Sequence, residues 1–334
     1  MDSLWKELID YARWSPSPHN IQAWKVKILS SSEAELFYDP KRLLPNTDPT
    51  GRFTMAGFGI FVENLSIAAH HFGQKVQARY YTDLLDSKRS SPTPLARLVS
   101  LPAADQEVFD RELIKKRRTS RLQYDNTAVN QTVLEELQRI AKTFGHTLTI
   151  SEDPELIAWV LRLNTDTLFY DMSDKKARKE VGSWIRYSSR EAHRKQDGLW
   201  AYCLGFPGLL LYLFIHGRLL FELPIIRSMT RSRYFNTTTG TKTIAWLAGP
   251  FEQATDWVNA GHMLARLWLC MTSYNVYLHP FGSIITNEKS HKRLRGKIRV
   301  NEGDANMLWL IMRLGYSTEP PRSLRLSLDE ILIV

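Results

Sequence analysis

The chain has 334 residues, 43% of them hydrophobic and 24% charged, and 44 Lys and Arg against 35 Asp and Glu give it a formal net charge of +9. This balance is typical of a folded globular protein and excludes both a disordered chain and a polytopic membrane protein. A basic chain can bind nucleic acid, an anionic membrane surface or a phosphate-bearing ligand. Nucleic acid is disfavoured because no nucleic-acid-binding motif accompanies the basic clusters.

Few residues are suited to disulfide or metal chemistry. The two cysteines, Cys203 and Cys270, are too few for a disulfide framework and lie in apolar runs, where cysteine packs as a small hydrophobic residue. His70 and His71 have no partners at metal-ligand spacing, so we predict no metal site. The first residues include acids and no apolar run, unlike a signal peptide. We therefore expect a cytoplasmic protein.

The first third of the chain alternates helical and extended patterns. Apolar spacing over 3–14 predicts an amphipathic helix, which the prolines of 15–18 end. A nearly uncharged helix is predicted over 53–72. Alternation predicts strands over 24–28, 34–38 and 75–82. The prolines between 92 and 102 predict a loop, followed by a charged helix over 104–116.

The remainder of the chain shows the same kinds of pattern. Helices are predicted over about 130–145, from 153, over 174–195 and over 255–276, and strands over 146–150, 243–248 and 305–313. Two apolar helices also resemble each other, since Ala56-Gly57 and Ala260-Gly261 begin similar runs at an offset of 204 residues. Chance similarity of buried helices is one explanation. The other is a duplicated α+β unit, which would make the chain imitate a two-fold dimer.

Four short motifs follow one another between residues 11 and 334. Residues 16–24 read PSPHNIQAW, 117–121 read RRTSR, 280–282 read PFG, and 313–316 read RLGY before a tail with Arg322, Arg325 and LDEIL at 328–332. In combination they resemble the signature segments of the nitroreductase family. The resemblance implies an α+β fold with mostly antiparallel central sheets flanked by helices, and FMN as the cofactor.

The order of the motifs is informative. Ordinary nitroreductases carry the arginine segment before the Pro-Ser segment and dimerise, so that each flavin touches both subunits. Here the order is reversed, which resembles the Acg-type branch, in which one polypeptide covers the whole dimer. The resemblance implies two nitroreductase-like halves, 1–103 and 104–334, one FMN per chain and a monomer.

The resemblance also assigns roles to the basic residues. It implies that the FMN phosphate is bound by forked guanidinium donors and by one hydroxyl donor, which are Arg117, Arg118, Arg322, Arg325 and Thr119. Arg121 would lie at the pyrimidine edge of the ring, where a fixed cation stabilises the anionic reduced flavin. The alternative for this cluster is a solvated helix end.

The other half of the site would come from two loops. In the first, the resemblance brings Pro16, Ser17, Asn20 and Gln22 to the ring and ribityl arm, while a turn in which these side chains bond their own backbone is the alternative. In the second, Pro280, Phe281 and Gly282 form a turn beside the flavin, where glycine lets backbone N–H groups approach the ring. Phe281 without a glutamate, and Ala23 in place of a proline, depart from the family pattern.

An apolar run of 19 residues, 199–217, carries no formal charge. Gly205, Pro207 and Gly208 interrupt it, so a spanning helix is disfavoured. We predict two short helices that fold over the flavin as part of a lid at about 174–240. Shallow membrane contact, with Arg218, Arg227, Arg231 and Arg233 facing headgroups, is the alternative.

The sequence thus predicts an FMN-binding oxidoreductase that passes electrons from a reduced donor, with NAD(P)H as a candidate, to a small aromatic or hydrophobic acceptor. No catalytic side chain is predicted, because the flavin performs the electron transfer. The alternatives are a flavin-sequestering or redox-sensing protein without turnover, and a membrane-apposed binding protein.

Overall fold

The computed structural model describes residues 3–82, 84–217, 223–301, 303 and 306–333. The helices are α1 (Ser3–Ala12), α2 (Arg52–His70), α3 (Glu112–Lys116), α4 (Gln131–Thr143), α5 (Pro154–Asp171), α6 (Lys175–Trp184), α7 (Ser189–Lys195), α8 (Gly208–His216), α9 (Pro224–Asn236), α10 (Ala254–Ser273), α11 (Gly282–Thr286), α12 (Glu288–Ile298) and α13 (Leu328–Ile331). The strands are β1 (Trp24–Ile28), β2 (Glu33–Tyr38), β3 (Gln74–Tyr80), β4 (Thr93–Pro102), β5 (Thr147–Ser151), β6 (Ile185–Arg186), β7 (Leu199–Trp200), β8 (Thr243–Gly249), β9 (Tyr277–Pro280) and β10 (Met307–Gly315).

Two four-stranded sheets organise the molecule. The first has the order β1-β2-β4-β3 and the second the order β5-β8-β10-β9, and every neighbouring pair in both sheets is antiparallel. Strand β8 is buried along its whole length, since helices cover both faces of its sheet. The predicted α+β class with mostly antiparallel sheets is confirmed.

The two sheets share one topology. In each unit, a first helix packs on the central helix, two strands precede the central helix in sequence and two strands follow it. The last of the four strands lies in the sheet between the second and the third. The first unit is α1-β1-β2-α2-β3-β4 and the second is α4-β5-β8-α10-β9-β10, with the apolar segment inserted between β5 and β8. This is the order that a duplicated unit would have; the duplication itself stays a prediction.

Helices α2 and α10 pack against each other at the centre and join the two halves into one core. At their crossing Gly59 and Gly261 are in contact, and the equivalent residues are therefore 202 apart. The offset of 204 predicted from the sequence is wrong, because it aligned Gly57 with Gly261, whereas Gly57 faces the 16–18 loop. The first residues of α2 and α10, Arg52 and Ala254, are also 202 positions apart.

Three predicted elements are wrong. The prolines between 92 and 102 do not form a loop but belong to or precede β4, which tolerates Pro94 because it lies beside a register irregularity against Phe37. The helix predicted over 104–116 shortens to α3, because the carboxylate of Glu107 accepts the backbone N–H groups of Val108 and Phe109 and so stabilises a turn.

The third concerns the basic helix over 174–195, which is broken into α6 and α7 at Ile185–Arg186. Arg186 is held there by Asp197, to which its Nε and Nη2 donate at 2.8 and 2.6 Å. Two-residue strands β6 and β7 pair in parallel beside this contact. The break therefore loses helical hydrogen bonds and gains the buried ion pair between Arg186 and Asp197.

The inserted segment 175–236 docks on the first half of the chain. Arg42 Nη1 donates to Asp197 Oδ2 at 3.0 Å, and the Glu180 carboxylate accepts the backbone N–H groups of Asn46 and Thr47 at 2.9 and 2.8 Å. We call residues 175–236 the insert. The predicted headgroup-facing Arg218 lies outside the described residues. Within the described ranges, no helix has both the length and the apolar character needed to cross a bilayer.

Candidate functional site

The arginine segment runs alongside strand β9. After α3 ends, Thr119 bridges to Leu278 in parallel register, and the Ser120 N–H donates to the Leu278 carbonyl at 3.2 Å. This pairing places residues 117–121 next to the strand that leads into Pro280. Two predicted site segments that are about 160 residues apart in sequence are therefore neighbours in the fold.

Arginines from the segment and from the tail gather around Trp14. The guanidinium of Arg322 lies 3.4 Å from the centre of the Trp14 ring and that of Arg325 lies 5.7 Å from it. Arg117 donates through Nη2 to the Trp14 carbonyl at 3.4 Å and stacks on Trp268 at 4.5 Å. Aromatic faces thus hold three guanidinium groups close to one another. The sequence analysis did not identify Trp14 as a site residue.

These cations are buried with little compensation. Arg117 is 8% and Arg325 7% exposed. Burial lowers the pKa of Arg117, and nearby Arg325, Arg118 and Arg322 lower it further. Burial, with Arg322 next, lowers the pKa of Arg325 to about 9. Arg118 alone of these has a short ion pair among the described residues, with exposed Glu319 at 2.6 Å. Repulsion among these buried positive charges lowers the stability of the fold unless an anion binds to the cluster.

Several donors of the cluster point at no acceptor. Buried nitrogens without a hydrogen-bond partner are Arg117 Nε, Arg117 Nη1, Arg118 Nε and Arg325 Nε. Buried donors are nearly always paired in folded proteins, so these four unpaired nitrogens on three arginines mark a place for an acceptor-rich group. A phosphate dianion supplies both the charge and the oxygens.

The Pro-Ser loop is held in an unusual conformation. His19, Asn20 and Gln22 all have left-handed backbone angles, with φ of 48°, 55° and 49°. Non-glycine residues rarely adopt this region, and such residues cluster where the surrounding structure fixes a functional loop. The Gln22 N–H donates to Ser17 Oγ at 3.0 Å, and Pro16 to Pro18 rest against Gly57 of α2.

Asn20 and Gln22 join the loop to the tail and to the insert. Asn20 Nδ2 donates to the carbonyls of Gly198 and Leu324 at 3.0 and 3.1 Å. Gln22 Oε1 accepts the Leu326 N–H at 2.9 Å. The side chain of Gln22 therefore positions the loop beside the tail that carries Arg325, whereas Asn20 keeps its buried Oδ1 without a partner.

His19 is a feature of this loop that the sequence analysis did not assign to the site. Burial lowers its pKa to about 4, with Glu180 of the insert raising it and Arg121 lowering it. Its Nδ1 is buried and has no partner. The ring is therefore neutral at pH 7 and lies within electrostatic range of Arg121, which belongs to the opposite half.

Arg121 and Arg313 form a second cationic group. Arg313 is completely buried, donates to the Leu122 carbonyl at 2.8 Å and lies 4.1 Å from the centre of the Tyr124 ring. Its Nε donates to His279 Nδ1 at 3.3 Å. Burial, together with Arg313 and Arg121, holds the pKa of His279 well below its usual range. The imidazole is thus neutral, and the positive charge resides on the two arginines.

The Pro280-Phe281-Gly282 turn lies beside His279, which accepts the hydrogen bond from Arg313. Pro280 pairs with Met312 in the sheet, and the Phe281 N–H donates to the Ile311 carbonyl at 2.8 Å. The Phe281 ring is buried in the second-half core next to His279, so its side chain packs in the interior. Gly282 is open, since a Cβ there would meet no atom within 4 Å. The backbone at Gly282 therefore has open space beside it.

Cys203 lies near both cationic groups. Burial raises the pKa of its thiol, while a hydrogen bond with Ser323 and the nearby Arg121, Arg325 and Arg118 lower it. A single side chain of the insert therefore lies within electrostatic range of both the Trp14 arginines and Arg121. The predicted residues of the first loop, the arginine segment and the tail converge on one region.

An open cleft of about 1240 Å³ begins at Arg121. One wall is the segment 121–125 with Ser317 and Thr318, and the other is the face of α9 that carries Ile225 and Met229. The cleft gives a molecule from solvent a path to the second cationic group.

Comparisons with known proteins support one family. No protein-family model matches the chain. A curated relative, the probable NAD(P)H nitroreductase PigM of Serratia sp., is 26% identical over 309 residues, which are 87% of this chain and 83% of that protein. This match confirms the resemblance to the nitroreductase family that the four motifs predict.

Solved nitroreductases also match parts of the chain. An FMN-bound nitroreductase from Bacteroides fragilis is 12% identical with a TM-score of 0.39, covering 67% of this chain and 97% of its own. The FMN-dependent NfnB of Mycobacterium smegmatis, solved with NADPH, is 15% identical with a TM-score of 0.39, covering 66% of this chain and 94% of its own.

Proposed function

We propose that the chain is an FMN-dependent oxidoreductase of nitroreductase type, as the name of its relative PigM suggests. The observation that carries this proposal is the set of buried, unpartnered guanidinium donors around Trp14. Arg117, Arg322 and Arg325 would hold the phosphate, with Arg118 and Thr119 at its rim. The nitrogens of Arg117 and Arg325 that have no acceptor within the protein suit a terminal phosphate.

The rest of the cofactor would extend from the phosphate towards Arg121. Asn20, with its unpartnered Oδ1, and Ser17 approach from the first half, and the open backbone at Gly282 approaches from the second. When bound, FMN would supply the hydride and electron transfer between a nicotinamide donor and an acceptor. Arg121, supported by Arg313, would stabilise negative charge at the edge of the ring.

The donor would be NAD(P)H, since PigM is named for it and one solved nitroreductase was crystallised with NADPH. The chain lacks the Gly-x-Gly-x-x-Gly segment of a separate dinucleotide domain. A nicotinamide would therefore enter the same open cleft as the acceptor. This cleft supports turnover rather than permanent sequestration of flavin.

The asymmetry of the halves supports one FMN per chain. The link between α1 and β1 is the long Pro-Ser loop, whereas its counterpart between α4 and β5 has only residues 144–146. The related position in the fold thus lacks a loop to hold a second ring. We infer an Acg-type arrangement of halves 1–103 and 104–334 that acts as a monomer. Two free, buried cysteines suit the cytoplasm.

Titration of flavin-free protein tests the proposal. FMN should bind at least about 100-fold more tightly than riboflavin, because several charge-assisted hydrogen bonds go to the phosphate. Arg117→Gln with Arg325→Gln should remove that advantage, as measured by quenching of flavin fluorescence. Arg139→Gln is the matched control, since this arginine is largely exposed on α4. Equal binding of FMN and riboflavin to the unmodified protein would overturn the phosphate assignment.

A further inference from the structure

The cleft that Arg121 lines has an apolar wall. Ile225 and Met229, one helical turn apart on α9, are 74% and 67% exposed. Ser232 and Asn236 continue the same face, because residues three and four apart lie on one side of a helix. The face looks across the cleft at the segment 121–125.

This face is held in place from behind. Thr230, on the opposite side of α9, is buried, and Asn164 of α5 donates to the Tyr234 hydroxyl at 2.8 Å. Arg231 also pairs with Asp166 of α5. The exposure of Ile225 and Met229 is therefore a property of a fixed helix face. Single exposed apolar residues are ordinary, but neighbours that line a concave path to buried cations are suited to covering a ligand.

The lining of the cleft also includes cationic side chains. Arg121 lines the cleft directly, and Arg313 lies behind. Arg233 also lines the cleft, with its guanidinium 5.7 Å from the centre of the Phe206 ring. The carboxylate of Asp125, on the same wall as Arg121, accepts the Thr127 N–H at 2.9 Å. The charges favour a neutral or anionic polar group over a cationic one.

We infer that the cleft binds an elongated electron acceptor, with a polar, uncharged or anionic head towards Arg121 and an apolar tail along Ile225 and Met229. This inference rests on the proposed function, to which it adds the class of acceptor. Helix α9 then determines specificity through the tail, and the site discriminates by length and apolarity rather than by the head alone. A cationic acceptor of similar size should bind less tightly, because Arg121 and Arg233 line the cleft.

A matched pair of quinones tests the inference without any reductant. The probes are 2,3-dimethoxy-5-methyl-1,4-benzoquinone and its 6-decyl derivative, and binding to FMN-loaded protein is measured by equilibrium dialysis. The decyl tail should tighten binding at least tenfold. Ile225→Ser with Met229→Ser should reduce that advantage about tenfold and leave the tail-less quinone unchanged. The control is Leu84→Ser with Val108→Ser, which alters residues that are 70% and 84% exposed elsewhere.

Each outcome is decisive for the cleft. No advantage of the tail in the unmodified protein, an undiminished advantage in the α9 variant, or an equal loss in the Leu84 and Val108 control would overturn the inference. The FMN content of each sample is measured beforehand. A protein that binds no FMN contradicts the proposed function, whereas an FMN-loaded protein that ignores the tail contradicts only the assignment of the cleft.

Discussion

Gly59 and Gly261 occupy equivalent places where the two central helices cross. A Cβ on Gly59 would lie 2.2 Å from the Val258 carbonyl oxygen, and a Cβ on Gly261 would lie 2.1 Å from the Ala56 carbonyl oxygen. Each glycine therefore allows the backbone of the other helix to approach. The relationship is reciprocal, as at the interface of a two-fold dimer.

Substituting either glycine should weaken the junction of the halves. Gly59→Ala or Gly261→Ala forces the helices apart, and we expect the free energy of unfolding to fall by about 3 kcal/mol or more. Urea denaturation followed by circular dichroism measures it. Gly296→Ala is the control, because this glycine is in helix α12 with no atom within 4 Å, and alanine there should be neutral or stabilising by up to about 1 kcal/mol. A tolerated alanine at position 59 or 261 would contradict the packing described.

The docking of the insert depends on Asp197. Asp197→Asn leaves the buried guanidinium of Arg186 without a counter-charge, and removing one partner of a buried pair costs about 3–5 kcal/mol. We expect faster tryptic cleavage within the insert and faster loss of FMN. Asp166→Asn, which breaks an exposed pair with Arg231, should change neither rate by more than twofold. Unchanged cleavage in the Asp197 variant would show that other contacts hold the insert.

Acid should destabilise the protein partly through His146. Its Nδ1 accepts the Trp309 indole N–H at 3.2 Å, and burial lowers its pKa from 6.5 to about 4. Between these values the unfolded chain binds the proton and the folded chain does not, so stability is complete above pH 6.5 and falls as the pH decreases towards 4.

His146→Asn keeps an acceptor and removes the titration. The difference between the free energies of unfolding at pH 7.5 and pH 5 should shrink by about 1–2 kcal/mol, as urea denaturation at the two pH values would show. His71→Asn, which alters an exposed histidine, serves as the control. The same pH difference in the His146 variant and in the unmodified protein would disprove the assignment.

Cofactor binding should protect Cys203. The thiol lies within electrostatic range of Arg121 and Arg325, where the cofactor is proposed to bind. FMN should slow its alkylation by iodoacetamide at least about fivefold, a change that mass spectrometry of tryptic peptides follows. Cys270 is fully buried on α10 and provides the reference within the same sample. Equal rates with and without FMN would place the cofactor away from Cys203.

Local patterns located most helices and strands. Apolar spacing predicted α1 and β1, the near absence of charge predicted α2, and capping residues predicted α4. These patterns failed at β4, where Pro94 signals a loop although a neighbouring irregularity accommodates it. The motifs predicted Arg117 and Asn20 as site residues through their resemblance to family segments, and this assignment stays a prediction.

The sequence assigns no role to three residues of the candidate site. Arg313 and His19 lie within the RLGY and PSPHNIQAW segments, but only the fold shows that Arg313 stands behind Arg121. Trp14 and His19 acquire their roles from residues more than 100 positions away, Arg322 and Arg121. Long-range juxtaposition of this kind depends on topology, and neither composition nor spacing encodes it directly.

The most direct test of the account is the molar ratio of FMN to polypeptide in fully reconstituted protein, determined from flavin absorbance after denaturation and from amino-acid analysis. One complete cleft between unlike halves predicts a ratio of one, with Asn20 and Arg117 both required to reach it. A ratio of two would mean that both related positions are functional, and a ratio of zero would mean that the buried guanidinium groups await a different anion.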